Sequence, residues 1–196
     1  MIANSQPPNI PVAQYLAAEA HSPIKHEYRD GYVYAMAGAS DAHVTISLNL
    51  ATIFKNHLRG SGCRVYMSDM RVNVATRNSY YYPDVMVTCN ERDRELTHYK
   101  QHPCLIVEVL STSTEAFDRG DKFTDYQQLA SLQEYVLVSQ TRQRVDHFQR
   151  NDRGLWVLQS YYLGDVMSLA SINCEVAVSD IFEDVELPNS EISTYS

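Results

Sequence analysis

The chain has 196 residues, enough for one domain of ordinary size with a real core. Hydrophobic residues make up 44% and charged residues 20%, the balance of a soluble globular chain and not of a disordered one. Sixteen basic residues against 24 acidic ones give a net charge of −8, which argues against coating nucleic acid or membrane through bulk charge but leaves room for a local basic groove.

No stretch approaches the ~18–20 apolar residues of a membrane helix, so no membrane association is expected. The proline-rich first eleven residues carry no signal-peptide pattern, which makes the cytoplasm the expected compartment. Residues 1–10 and 188–196 read as flexible ends, with a single domain over 11–187. Cys63, Cys89, Cys104 and Cys174 lie in or beside apolar runs without CxxC spacing, and read as small buried hydrophobes in a reducing compartment.

In chain order, Pro11–Ala20 predicts a short helix, with Pro11 suited to its first turn. Residues 26–29 and 32–36 flank Asp30-Gly31, a strong hairpin signal. Ser40 or Asp41 caps a long helix reaching about Arg59, with Ile46, Leu50, Ile53, Phe54 and Leu58 at helical spacing. Strands are predicted over Cys63–Ala75, with a β-bulge at Ser68-Asp69, and over Tyr80–Cys89. Arg92–Gln101 reads as a charged loop. Cys104–Leu110 is an apolar run broken only by Glu108, the mark of a strand covered on both faces. A helix over about Phe117–Ala130, capped by Asp118, precedes strands over Leu132–Ser139, Arg144–Gln149 and Leu155–Tyr162. The fold class is α/β, a mixed sheet with flanking helices after an N-terminal helix and hairpin.

Two charges stand where a strand does not comfortably bury them. Asp84 follows Pro83 just before Val85-Met86-Val87, and Glu108 is set in Leu105–Leu110. A carboxylate in an apolar strand costs several kcal/mol unless paired, protonated or bound to a cation. One such residue reads equally as a buried hydrogen-bond acceptor; two on successive strands point to a shared site. Adjacent strands lie ~4.8 Å apart, so two level carboxylates can clasp one hard cation, Mg²⁺ or Mn²⁺ in preference to zinc. The helix after the Glu108 strand opens Asp118-Arg119-Gly120-Asp121-Lys122, which brings a lysine near that strand's C-terminal end.

Pro83-Asp84, Glu108 and a following lysine resemble the PD-(D/E)xK nuclease superfamily. More narrowly, the chain is similar to the Uma2 family over about residues 11–187. The matching stretches are His26-Glu27-Tyr28 with Asp30-Gly31, Tyr34–Gly38, His43, Ser68–Val72, Tyr82–Val85, Ile106–Ser111, Ser113–Lys122 and Glu134–Val138. In the wider superfamily the lysine stands two residues after the acid; here that position is Leu110, and the Uma2 pattern points instead to Lys122 on the next helix. The resemblance implies a restriction-endonuclease-like core and Mg²⁺- (or Mn²⁺-) dependent hydrolysis of DNA phosphodiester bonds. Asp84 and Glu108 would hold the metal, and Lys122 would orient the attacking water and offset phosphoryl charge.

Glu27, His43 and Asp118 are accessory candidates. For Glu27 the competing reading is a surface pair with Lys25 or Arg29, and for His43 a satisfied helix residue. Ser111 and Ser113 shape the loop before the helix or touch phosphate, and the 14 tyrosines divide between packing and base stacking. A local groove including Arg119 and Lys122 is the expected DNA contact, and a homodimer is expected from similar nucleases that cut one strand per site. Two other functions compete: a catalytically silent nucleic-acid or protein-binding module of the same fold, and a hydrolase of smaller phosphoesters.

Overall fold

A computed structural model describes residues 9–187. The elements are α1 (Val12–Glu19), β1 (His26–Arg29), β2 (Tyr32–Ala35), α2 (Asp41–His57), β3 (Arg64–Met67), β4 (Arg71–Val74), β5 (Ser79–Tyr81), β6 (Val85–Thr88) and β7 (Tyr99–Lys100). They continue with β8 (Leu105–Leu110), α3 (Glu115–Arg119), α4 (Asp121–Tyr126), β9 (Glu134–Ser139), β10 (Arg144–Arg150), β11 (Trp156–Tyr162), β12 (Val166–Leu169), β13 (Cys174–Ala177) and α5 (Val178–Ile181). The expected flexible ends fall outside the described residues except for Asn9 and Ile10. Those two dock: both backbone N–H groups reach Gly31 O, and the Tyr28 hydroxyl donates to Ile10 O.

The larger sheet has six strands in the order β11-β10-β9-β8-β6-β3 and is mixed, β8 and β9 being its parallel pair. A five-stranded sheet, β2-β1-β5-β4-β7, stands beside it, and β12-β13 form a separate hairpin. Strand alternation divides the core. Val85, Val87, Val107 and Val109 point to Ile46, Leu50 and Phe54 of α2. Met86, Ile106 and Leu110 point the other way, to Phe123 and Tyr126 of α4 and to Val72, Val74 and Tyr81 of the five-stranded sheet. Glu108 shares the parity of Ile106 and Leu110, so its side chain faces α4.

Two predicted strands each divide between the sheets. Residues 63–75 split into β3 and β4 around Ser68, whose φ of 22° makes a turn where a bulge was expected. Residues 80–89 split at Tyr82-Pro83-Asp84, where Pro83 has no N–H to give a ladder. The two breaks adjoin, since Ser68 N–H donates to Asp84 O at 3.2 Å. Alternating apolar patterning persists through both breaks, so periodicity alone does not reveal the change of sheet. The predicted 117–130 helix starts earlier, at Glu115, and is broken at Gly120 into α3 and α4. A Cβ on Gly120 would lie 3.0 Å from Ala116 O, so this close approach suits glycine.

The four cysteines are not all free thiols. Cys63 and Cys89 form a disulfide, while Cys104 and Cys174 are buried thiols. Antiparallel β3 and β6 pair Arg64 with Thr88, which sets the next residues outward, 63 and 89, across from each other. Sequence spacing of 26 residues carries no hint of that register. Among the described residues, no helix is long and apolar enough to cross a membrane.

Candidate active site

The site forms where the two sheets diverge. Val85 pairs with Val107, so the antiparallel register carried one residue further sets Asp84 across from Glu108. Asp84 Oδ2 accepts the Val109 N–H at 2.7 Å, and Oδ1 lies 2.9 Å from His43 Nε2. His43 is held in the first turn of α2, its N–H donating to the Ser40 Oγ that caps the helix. Glu27 arrives from β1 of the other sheet, where its Oε1 accepts the Tyr82 N–H at 3.0 Å.

Lys122, in the first turn of α4, joins these parts. Its Nζ lies 2.9 Å from Glu108 Oε1, 3.1 Å from Glu27 Oε1 and 3.5 Å from Asp118 Oδ1. The Tyr81 ring lies 5.7 Å from the same ammonium, a cation–π distance. The kink at Gly120 separates Asp118 and Lys122 onto α3 and α4 while keeping both on the site. Asp118 is therefore not the predicted helix cap: α3 begins before it, and its side chain is buried beside the lysine.

Tyr126 was not singled out in the sequence. Its hydroxyl donates to Glu108 Oε1 at 3.0 Å. The available signal was spacing, since Asp118, Lys122 and Tyr126 stand four apart and share a helical face. Ser111 bonds to Ser113 and Thr114 within its own loop, and exposed Asp69 pairs with Lys25. Arg119 does not build a groove with Lys122: it pairs with Glu115 and Asp146, each at 2.8 Å, and Lys122 is buried. Nor does Arg29 pair with Glu27; it reaches Asp121 and Asp125.

Electrostatics follow from burial. Glu27, Glu108, Asp118 and Lys122 are each at most 5% exposed, and Asp84 is 9% exposed. Burial, with the negative charges of Asp118, Asp84 and Glu27, pushes the Glu108 carboxyl well above the usual range despite the pull of Lys122. Burial raises Glu27 too, against Lys122 and the Tyr82 N–H. For Lys122 burial acts to lower the pKa, but Glu108 and Glu27 outweigh it and hold the ammonium well above its ordinary value.

Among the described residues, no three of His, Cys, Asp and Glu converge closely enough to cage a metal. The donor set nevertheless suits a hard cation. Three carboxylates (Glu27, Glu108, Asp118) surround a single ammonium, and Asp84, held by His43 and the Val109 N–H, opposes Glu108 across adjacent strands. Such a pair fits a Mg²⁺ that keeps most of its shell as water or phosphate oxygen.

Comparison with known proteins gives the family and the fold. The Uma2 family model, described as "Putative restriction endonuclease", matches residues 12–179. A Synechocystis protein, slr1290, described as uncharacterized, is 44% identical over 185 residues, covering 93% of this chain and 97% of its own. A second Synechocystis protein, sll1609, also described as uncharacterized, is 37% identical over 150 residues, 74% of this chain and 84% of its own. The crystal structure of an Anabaena variabilis protein, described as a putative nuclease belonging to DUF820, superposes with a TM-score of 0.75 at 14% identity. It covers 89% of this chain and 98% of its own, and so shares the fold. With that model matching residues 12–179, from the start of α1 into α5, the chain belongs to the Uma2 family.

Proposed function

We propose that this protein is a Mg²⁺- or Mn²⁺-dependent endonuclease that hydrolyses DNA phosphodiester bonds. The observation that carries the reading is the placement of Lys122: from a separate helix, its ammonium comes within 2.9 Å of Glu108 and 3.1 Å of Glu27. A lysine two residues after the acid, at Leu110, would share Glu108's face of the strand, so α4 supplies from outside the strand a charge that the wider superfamily supplies from within it.

Asp84 and Glu108 would hold the cation, which when bound supplies Lewis-acid stabilisation of phosphoryl charge. Lys122 orients the attacking water and offsets negative charge developing on the phosphate. Glu27 fixes the ammonium, Tyr126 fixes the Glu108 carboxylate, and His43 fixes Asp84. DNA is the proposed substrate, and a homodimer the proposed assembly for cutting two strands.

One feature favours a second reading, the catalytically silent module: Lys122 is already closed in ion pairs and only 4% exposed. Incubating supercoiled plasmid with the protein in Mg²⁺ or Mn²⁺ separates the two. Nicking by wild type that Asp84→Ala and Glu108→Ala lose supports the nuclease. Intact plasmid in every metal supports the silent module.

A further inference from the structure

The molecule's acidity hides one strongly basic feature. At the C-terminal end of α2, where the chain turns into β3, a cleft of about 420 Å³ is lined by Lys55, Arg59, Arg64 and Arg94, with no acidic side chain among its walls. Four of the chain's sixteen basic residues thus share one cleft in a protein of net charge −8. Among the described residues, Arg94 pairs with exposed Glu91 at 3.3 Å, while Lys55, Arg59 and Arg64 make no ion pair. The helix end accounts for Lys55 and Arg59, whose charges suit its negative pole. It does not account for Arg64 on β3 or Arg94 in the β6–β7 connection, which converge from other elements.

The backbone is shaped around that convergence. Gly62 has φ +85°, and a Cβ there would come within 3.3 Å of Arg94 Nη2, so a side chain at 62 would press on the guanidinium. Beside it, the Cys63–Cys89 disulfide ties the loop that carries Gly62 to the end of β6. Arginine forks and a lysine point charge around a small open cleft are suited to phosphate oxygens.

We propose that this cleft is a second phosphate-binding site, taking a backbone phosphate of the DNA away from the bond that is cut. The inference rests on the nuclease reading for the source of the phosphate. His43 of α2 touches Asp84, and Lys55 stands twelve residues along the same helix. At about 1.5 Å per residue the two positions are ~18 Å apart. That span is roughly five base pairs at about 3.4 Å each. A duplex that fills the site and extends past five base pairs reaches the cleft; one that ends sooner does not.

The test compares wild type with an Arg64→Gln/Arg94→Gln variant, with matched circular dichroism and melting as a check on folding. Binding to a long duplex and to one ending about three base pairs from its centre is measured across a salt series, in Ca²⁺ so that cutting does not intervene. The variant is expected to bind the long duplex about 5- to 10-fold more weakly, with a salt slope shallower by about one to two, and to bind the short duplex unchanged. Equal affinity and slope for both proteins on the long duplex would overturn the proposal. So would inorganic pyrophosphate binding that the substitutions abolish while duplex binding is unaffected, since the cleft would then serve a free phosphate compound. Plasmid nicking is scored separately: a wild type that cuts nothing yet binds long duplex through Arg64 and Arg94 would remove the nuclease reading and leave the cleft standing.

Discussion

Replacing Lys122 by methionine tests the physical logic of the site without reference to any substrate. The ammonium is the shared partner of Glu108 at 2.9 Å and Glu27 at 3.1 Å, with side chains 4% and 7% exposed. Methionine keeps the unbranched stem but lacks the terminal ammonium, and leaves both carboxylates buried without a counter-charge. Breaking a buried pair in this way costs about 3–5 kcal/mol, a large share of the roughly 5–15 kcal/mol that stabilises a typical domain. At ~2–4 °C per kcal/mol for a chain of this size, melting falls by roughly 6–20 °C. Glu108→Gln alone is milder, because glutamine retains an acceptor for the Tyr126 hydroxyl and no longer buries a charge. The double variant Lys122→Met/Glu108→Gln therefore recovers about 1–3 kcal/mol over Lys122→Met, a non-additivity read by urea unfolding at constant slope. Proton linkage has the matching sign. A Glu108 carboxyl raised above its ordinary 4.5 binds protons more readily in the folded state, so its contribution is present below 4.5 and declines as pH rises through the raised value. With Lys122 removed, its downward pull on the carboxyl is lost and the decline extends to higher pH. A Lys122→Met protein within about 1 kcal/mol of wild type, or effects that simply add, would refute the reasoning.

Three further outcomes follow from other parts of the fold. Glu134 accepts the Ala170 and Ser171 N–H groups and lies 3.1 Å from His147 Nε2; burial opposes the charge, but these partners hold its pKa below the ordinary 4.5. Its contribution is complete above 4.5 and lost as pH falls through the lowered value, so in acid titration wild type should lose stability below pH 4.5 more steeply than Glu134→Gln. Opening the Cys63–Cys89 bridge, which closes a 26-residue separation, costs about 3.5 kcal/mol on the chain-entropy estimate. Cys63→Ser/Cys89→Ser should match reduced wild type in melting temperature, and equal melting of reduced and oxidised wild type would contradict the bridge. Gly120→Ala presses a Cβ to 3.0 Å from Ala116 O, and we expect a loss of about 1–2 kcal/mol in urea unfolding, with reduced nicking as Lys122 shifts.

Much of the candidate site was legible because burying charge is costly. Asp84 and Glu108 stood out as carboxylates in apolar strands, and the structure sets them opposite each other. The Asp30-Gly31 turn and the Ser40 cap were legible because backbone geometry selects those residue types: Asp30 and Gly31 have φ of 45° and 88°, and Ser40 caps α2. Changes of sheet at residues 68 and 82–84 were not, because inward–outward alternation reads the same whichever sheet a strand joins. Tyr126 was hidden by its type, since an aromatic residue on a helix reads as packing until its hydroxyl is seen on Glu108. The disulfide depended on the register of β3 with β6, a long-range property that local spacing does not encode.

The central claim is that a lysine on α4 completes the site built by Asp84 and Glu108. Single-turnover nicking of supercoiled plasmid in Mg²⁺ by wild type, Lys122→Met, Glu108→Gln and their double variant tests it most directly, each protein first shown to be folded. Groups that act as one unit are not additive, so each single change should lower the rate by about 100-fold or more and the double should fall little further. A Lys122→Met protein that nicks within about threefold of wild type would contradict the account.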